Sequence, residues 1–207
     1  MESAALIHKQ MMERVLCVVD RTLRKEFPDD FHKRCMYSAF GIHTLLRELG
    51  HRPILVGGDF AAFVLSRDGR RASVQGYSSQ GRSVESSHYW VELEGTVVDL
   101  GTSYLPVESS FPAAAMPATH WDLSFPLPKA LQYRPEIQYD PEVELRSSAE
   151  ITDRMDKFLD LCKKRNEGSL VNSKFDSWLL RDPSSLAGAA KRGDLWAAGA
   201  IRFEGMS

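Results

Sequence analysis

The stretch His88-Tyr89-Trp90-Val91-Glu92-Leu93-Glu94-Gly95-Thr96-Val97-Val98-Asp99-Leu100 decides how this chain is read. Its apolar residues alternate with a period of two, as in half-buried strands, and Glu94-Gly95 between them is a two-residue turn signal. Closing the hairpin on Leu93 and Thr96 sets Trp90 opposite Asp99 and His88 opposite Gly101. Side chains then sort into two faces. Tyr89, Val91, Leu93, Thr96, Val98 and Leu100 form a core face; His88, Trp90, Glu92, Val97 and Asp99 form the other. His88 and Asp99 become diagonal neighbours, roughly 7 Å apart at the backbone and within side-chain reach. A slip of one residue would seat Asp99 among Tyr89, Val91 and Leu93, so the pattern opposes it.

Upstream, Leu6, Met11, Met12, Val15, Val18, Val19 and Leu23 recur at helical spacing from Ala4 to about Arg24, and Phe27-Pro28 ends that segment. A second helix, from about Arg34 to Leu49, carries Cys35, Ala39, Ile42, Leu46 and Leu49 on one face and stops at Gly50. Cys35 thereby falls in the first turn of an amphipathic helix. The period changes at Ile54. Ile54 to Val56, Phe60 to Leu65, Ala72 to Tyr77, Ser87 to Leu93 and Thr96 to Leu100 are short runs expected to form an antiparallel sheet.

Downstream, Pro106 to Pro141 holds seven of the ten prolines and is expected to be an irregular excursion over the surface. Ser147-x-x-Glu150 reads as a capping box opening a helix through Ile151, Met155, Phe158, Leu159 and Cys162. Helical pieces are expected at Val171 to Leu180 and Ser184 to Trp196. The expected organisation is one α+β domain over 1–207: a core at 30–105, the excursion at 106–141 and a helical segment at 147–200.

With 207 residues, 43% of them hydrophobic, the chain can bury a core without disulfides or metal. Its 26 Lys plus Arg against 28 Asp plus Glu are scattered, which leaves no electrostatic footprint for nucleic acid. No apolar run approaches the roughly 18 residues of a membrane span, and Met1 to Lys9 does not resemble a secretory signal. A cytoplasmic location is the default expectation. Cys17, Cys35 and Cys162 are odd in number and widely spaced, so a free thiol is expected.

A helix start favours thiolate, because free amides and the positive dipole end lie there. Imidazole can take the thiol proton, and a carboxylate can fix its tautomer. Cys35, His88 and Asp99 fill those roles as nucleophile, base and orienting acid, with a thiolate–imidazolium pair as the expected resting form. The plainer alternatives are a small buried hydrophobe at Cys35 and a structural hydrogen-bonded pair at the strand end. Trp90 shares the site face and could shield the ion pair, touch substrate or simply pack the cleft wall as a large side chain. Tyr104, Trp121 and Tyr133 could line a pocket under the excursion, with core or surface packing as the plainer alternative. His43 and His51 read as surface or capping groups. His32-x-x-Cys35 with His88 and Asp99 suits zinc in ligand type only. The chemistry calls for no cofactor.

The chain resembles the transglutaminase-like and papain-like cysteine hydrolase superfamily. The resemblance is carried by Cys35 opening a helix, Leu49-Gly50-His51-Arg52-Pro53, Val56-Gly57-Gly58, His88-Tyr89-Trp90-Val91-Glu92 and Val98-Asp99-Leu100-Gly101. It covers about residues 30 to 105, and it also looks like one of the small bacterial domain families of unknown function assigned there. The resemblance implies a papain-like core, a Cys35-His88-Asp99 triad and a thioester intermediate with a peptide, amide or other acyl donor. The order and short spacing are more similar to transglutaminases, peptide N-glycanases and arylamine N-acetyltransferases than to papain. Asp29 and Asp30 stand where papain-like members carry an oxyanion Gln, and Met36 follows the cysteine. The same residues also fit a catalytically silent binding domain of that fold.

Overall fold

In a computed structural model, which describes residues 2–78, 87–139, 149–168, 175 and 177–205, the chain opens with α1 (Glu2–Glu26), a 3-10 turn (Phe31–Lys33) and α2 (Cys35–Glu48). Four strands follow: β1 (Ile54–Leu65), β2 (Ala72–Tyr77), β3 (His88–Leu93) and β4 (Thr96–Asp99). Then come α3 (Gly101–Glu108), β5 (Ala118–Asp122), β6 (Leu131–Tyr139), α4 (Ala149–Gly168), β7 (Leu179–Leu180), α5 (Pro183–Lys191) and α6 (Leu195–Gly205). The architecture is α+β, with six helices among the described residues around a curled, seven-stranded mixed sheet.

The deciding hairpin forms in the expected register, Leu93 opposite Thr96, Glu92 opposite Val97 and Val91 opposite Val98. Glu94 (φ 50) and Gly95 (φ 78) both adopt positive φ, which a tight turn matching strand twist demands. Strand order is β2-β1-β3-β4-β5-β7, with β6 on β1. The long β1 pairs β3 along its first half and β2 along its second, while β6 runs beside it. Pairing is antiparallel except for β5 with β7, so the expectation of a purely antiparallel sheet is corrected. The two runs expected at Ile54 and Phe60 merge into β1, which runs unbroken through Gly57-Gly58 while β6 bulges opposite them.

The two hairpin faces enter different cores. Val91, Leu93, Val98 and Leu100 join Val15, Leu16, Val19, Ile42, Leu45, Leu46 and Phe158 under α1, α2 and α4. Gly41 lets those helices close, since a Cβ there would sit 3.1 Å from Val19 Cγ2 and 3.2 Å from Phe158 Cε1. The opposite face places Trp90 and Val97 against Val56 and Tyr133. Phe60, Phe63, Trp121, Leu131 and Trp196 build a further core beneath α5 and α6. Each such large side chain, fully buried, contributes on the order of 1.5–3 kcal/mol of transfer free energy.

The region expected as an irregular excursion over 106–141 holds the end of α3 and two strands, β5 and β6. Its prolines mislead for local reasons. Pro112, Pro117, Pro126 and Pro128 lie between elements, and Pro135 sits opposite Gly58 at the bulge of β6, which pairs with β1 alone. Most β6 side chains are exposed, so the composition resembles a loop. The sheet around the site therefore draws on strands outside 30–105. Leu179–Leu180, expected in a helix, pairs in parallel with β5, and the expected helix at Ser184 to Trp196 is two helices, the second reaching Gly205. The capping box lies outside the described residues, as do 169–174 and 176. Leu49 is exposed, not on the buried face of α2.

Candidate active site

Strand parity brings His88 and Asp99 together: His88 Nε2 lies 2.8 Å from Asp99 Oδ2, and both residues are buried. The carboxylate is held on both oxygens. Oδ1 accepts the Gly101 N–H at 2.7 Å, and Oδ2 also accepts the Tyr133 hydroxyl at 2.8 Å. A carboxylate so engaged is fixed in orientation. Gly101 has a steric role as well, since a Cβ there would stand 2.4 Å from His88 Cε1 and 3.0 Å from Nε2. The ring of His88 is walled by Phe60 at 4.9 Å, Tyr77 at 5.5 Å and nearly parallel, and Trp90 at 6.1 Å.

Cys35 is the first residue of α2 and is partly exposed, whereas Cys17 and Cys162 are buried. Burial pushes the Cys162 thiol up to about 12, so it stays protonated near neutrality. Burial also works against charge on His88, yet the Asp99 carboxylate and the Cys35 thiol, by charge and hydrogen bonding, together raise its pKa to about 10. His88 Nε2 is committed to Asp99, so Nδ1, which makes no well-formed hydrogen bond, is the nitrogen left for the thiol. The carboxylate thus holds Nε2 while Nδ1 is left to serve the thiol, and the two neighbours together favour the protonated ring.

Around this line the structure adds Tyr133, expected only as a pocket-lining or packing aromatic, together with Tyr77 and Glu108, for which the sequence suggested no site role. Tyr133 comes from β6, inside the stretch taken as irregular; its period-two placement with Leu131 was the available signal. Tyr77, at the end of β2, stacks on His88 and donates its hydroxyl to Glu108 Oε2. Glu108 Oε1 faces His32 Nε2 at 3.8 Å. Nothing in the local sequence links Glu108 to the hairpin, because the link is made by the packing of α3 against the 3-10 turn.

Three other expectations need correction, namely Trp90 as a substrate contact, the Tyr104–Trp121–Tyr133 pocket and His43 as a surface group. Trp90 is 1% exposed, with its edge on Tyr133, so it supports the His88 wall and offers substrate no surface. Tyr104 and Trp121 are core residues, and Tyr133 spends its hydroxyl on Asp99, so the three line no open pocket. His43 is half-buried, and burial with the nearby Arg47 charge pushes it down to about 4 despite a hydrogen bond to the Pro53 backbone. His51 lies 3.6 Å from the exposed Glu94 carboxylate. Among the described residues no group of three or more His, Cys, Asp or Glu side chains is arranged to hold a metal ion, and no helix is long and apolar enough to cross a membrane.

No known family, curated protein or solved structure matches the chain.

Proposed function

We propose that this chain is a cysteine-dependent acyl-transfer enzyme, an amide or peptide hydrolase or a transglutaminase-like acyltransferase, built on a papain-like core. The observation that carries the proposal is the buried His88–Asp99 hydrogen bond, with the Cys35 thiol near enough to the ring to help raise its pKa. In this mechanism the Cys35 sulfur, as thiolate, attacks the substrate carbonyl. The oxyanion is received by the Cys35 backbone N–H, one of the amides a helix start leaves unpaired. His88 Nδ1 gives its proton to the departing amine, leaving a thioester. Water or an acceptor amine then attacks, His88 takes the proton released, and the acyl group leaves sulfur. Asp99 keeps the ring oriented and carries the charge opposite imidazolium throughout.

Alkylation by iodoacetamide and labelling by acyl electrophiles, read by mass spectrometry, test this. Cys35 should be modified in the native protein near neutral pH, and both Cys35→Ala and His88→Asn should abolish the acyl adduct. Modification of Cys17 or Cys162 alone would sink the proposal. A silent binding domain is the second reading, favoured by the full burial of His88. It requires an ordinary Cys35 whose alkylation rate His88→Asn leaves unchanged.

A further inference from the structure

We propose that Glu108 is the specificity-determining carboxylate of the partly exposed surface beside Cys35, selecting acyl donors that carry an ammonium or guanidinium group close to the attacked carbonyl. The inference rests on the acyl-transfer reading above and names its substrate class.

Three contacts bring Glu108 to the site. Phe31 meets Tyr104 edge to face at 5.3 Å, which seats α3 on the 3-10 turn that leads into Cys35. His32 of that turn faces Glu108 Oε1. Tyr77 lays its ring over His88, gives its hydroxyl to Glu108 Oε2, and lies within electrostatic reach of Cys35 as well as Glu108. Tyr77 therefore spans from the thiol–imidazole pair to the carboxylate.

The charge balance around Glu108 is incomplete. Its side chain is 22% exposed, and among the described residues no Lys or Arg forms an ion pair with it. Tyr77 is a neutral donor, because burial first and then the Glu108 carboxylate hold its phenol protonated. His32 Nε2 stands at 3.8 Å, beyond a hydrogen bond, so Oε1 keeps acceptor capacity. A partly desolvated carboxylate without a fixed cation favours binding one, and such a pair a few ångströms apart is worth about tenfold in affinity or rate.

Thiol exchange at Cys35 reads this charge without any turnover. The sulfur attacks the sulfenyl sulfur of an alkyl methanethiosulfonate, a mixed disulfide forms, and methanesulfinate leaves. Rates are compared for reagents of similar size bearing an ammonium or a sulfonate, against a neutral model thiol, N-acetylcysteine amide, with the adduct located by mass spectrometry. The native protein should prefer the ammonium reagent by about tenfold more than the model thiol does. The preference should shrink with salt and disappear in Glu108→Gln, which retains an acceptor for the Tyr77 hydroxyl. Tyr77→Phe, which frees Oε2, should keep or enlarge it. A ratio equal to that of the model thiol, or one unchanged in Glu108→Gln, overturns the inference. An inactive triad would appear separately, as an intact charge ratio with no acyl adduct at Cys35.

Discussion

Asp99 accepts from His88, Gly101 and Tyr133 at once, so its charge and its position are spent on a single task. Asp99→Asn removes the charge that offsets the burial of His88, leaving the thiol as the only opposing group. The His88 pKa should fall from about 10 to below its ordinary 6.5, making the ring neutral at pH 7. A titration of the His88 Cε1–H resonance checks this, and a midpoint that stays near 10 would refute the assigned cause. Gly101 tests the geometry instead of the charge. Gly101→Ala drives a methyl into His88 Cε1, so the ring must move; a stability loss of about 1–3 kcal/mol is expected. Denaturant midpoints read that loss, and the alkylation profile of Cys35 should lose its dependence on His88. Both residues were legible in the sequence, because strand parity alone pairs His88 with Asp99. Tyr133 was not: its partner lies across the curl of the sheet, and no local spacing encodes that closure.

At the scale of elements, the hairpin shows why short-range periodicity reads well and composition reads poorly. Its turn needs positive φ at two successive positions, and no heavy atom beyond the adjoining residues lies within 4 Å of where a Gly95 Cβ would stand. Gly95→Ala therefore carries only the backbone penalty, a stability loss of about 1 kcal/mol measured by urea unfolding, with the site unperturbed. Glu94→Asn should gain a few tenths of a kcal/mol, since Asn tolerates that φ and the lost pair with His51 is largely exposed. A larger loss in either variant would mean the turn also directs contacts elsewhere. The strands β5 and β6 escaped sequence reading through their prolines. Pro135 costs no ladder bond where an edge strand bulges, so a composition typical of loops is compatible with a strand that supplies Tyr133.

For the whole molecule, two histidines of opposite shift set how stability follows pH, and Cys35→Ala removes the thiol from the proton count so that each can be seen. In that background His88 still faces Asp99 and its folded pKa remains above 6.5. Its contribution is fully present below pH 6.5 and is lost as pH rises toward about 10. His43, with a folded pKa of about 4, contributes stability that is present above 6.5 and lost as pH falls through 4. The lowered carboxylates Asp68, Asp122 and Asp182 act only at still lower pH. The Cys35→Ala protein should therefore be most stable near pH 6.5 and fall with a slope approaching about 1 kcal/mol per pH unit from there to 8.5. His43→Gln should flatten its acid limb. Restoring the thiol changes the count in a way that tests the resting form of the site. If the native pair is thiolate and imidazolium, it holds one proton, and between about 6.5 and 8.5 the unfolded chain also holds one, on the thiol. The wild type should then be flat across that window where Cys35→Ala slopes. Urea midpoints at pH 6.5, 7.5 and 8.5 decide it: equal slopes in the two proteins would mean that the thiol keeps its proton and that the ion pair, the active form of the proposed nucleophile, does not form at rest.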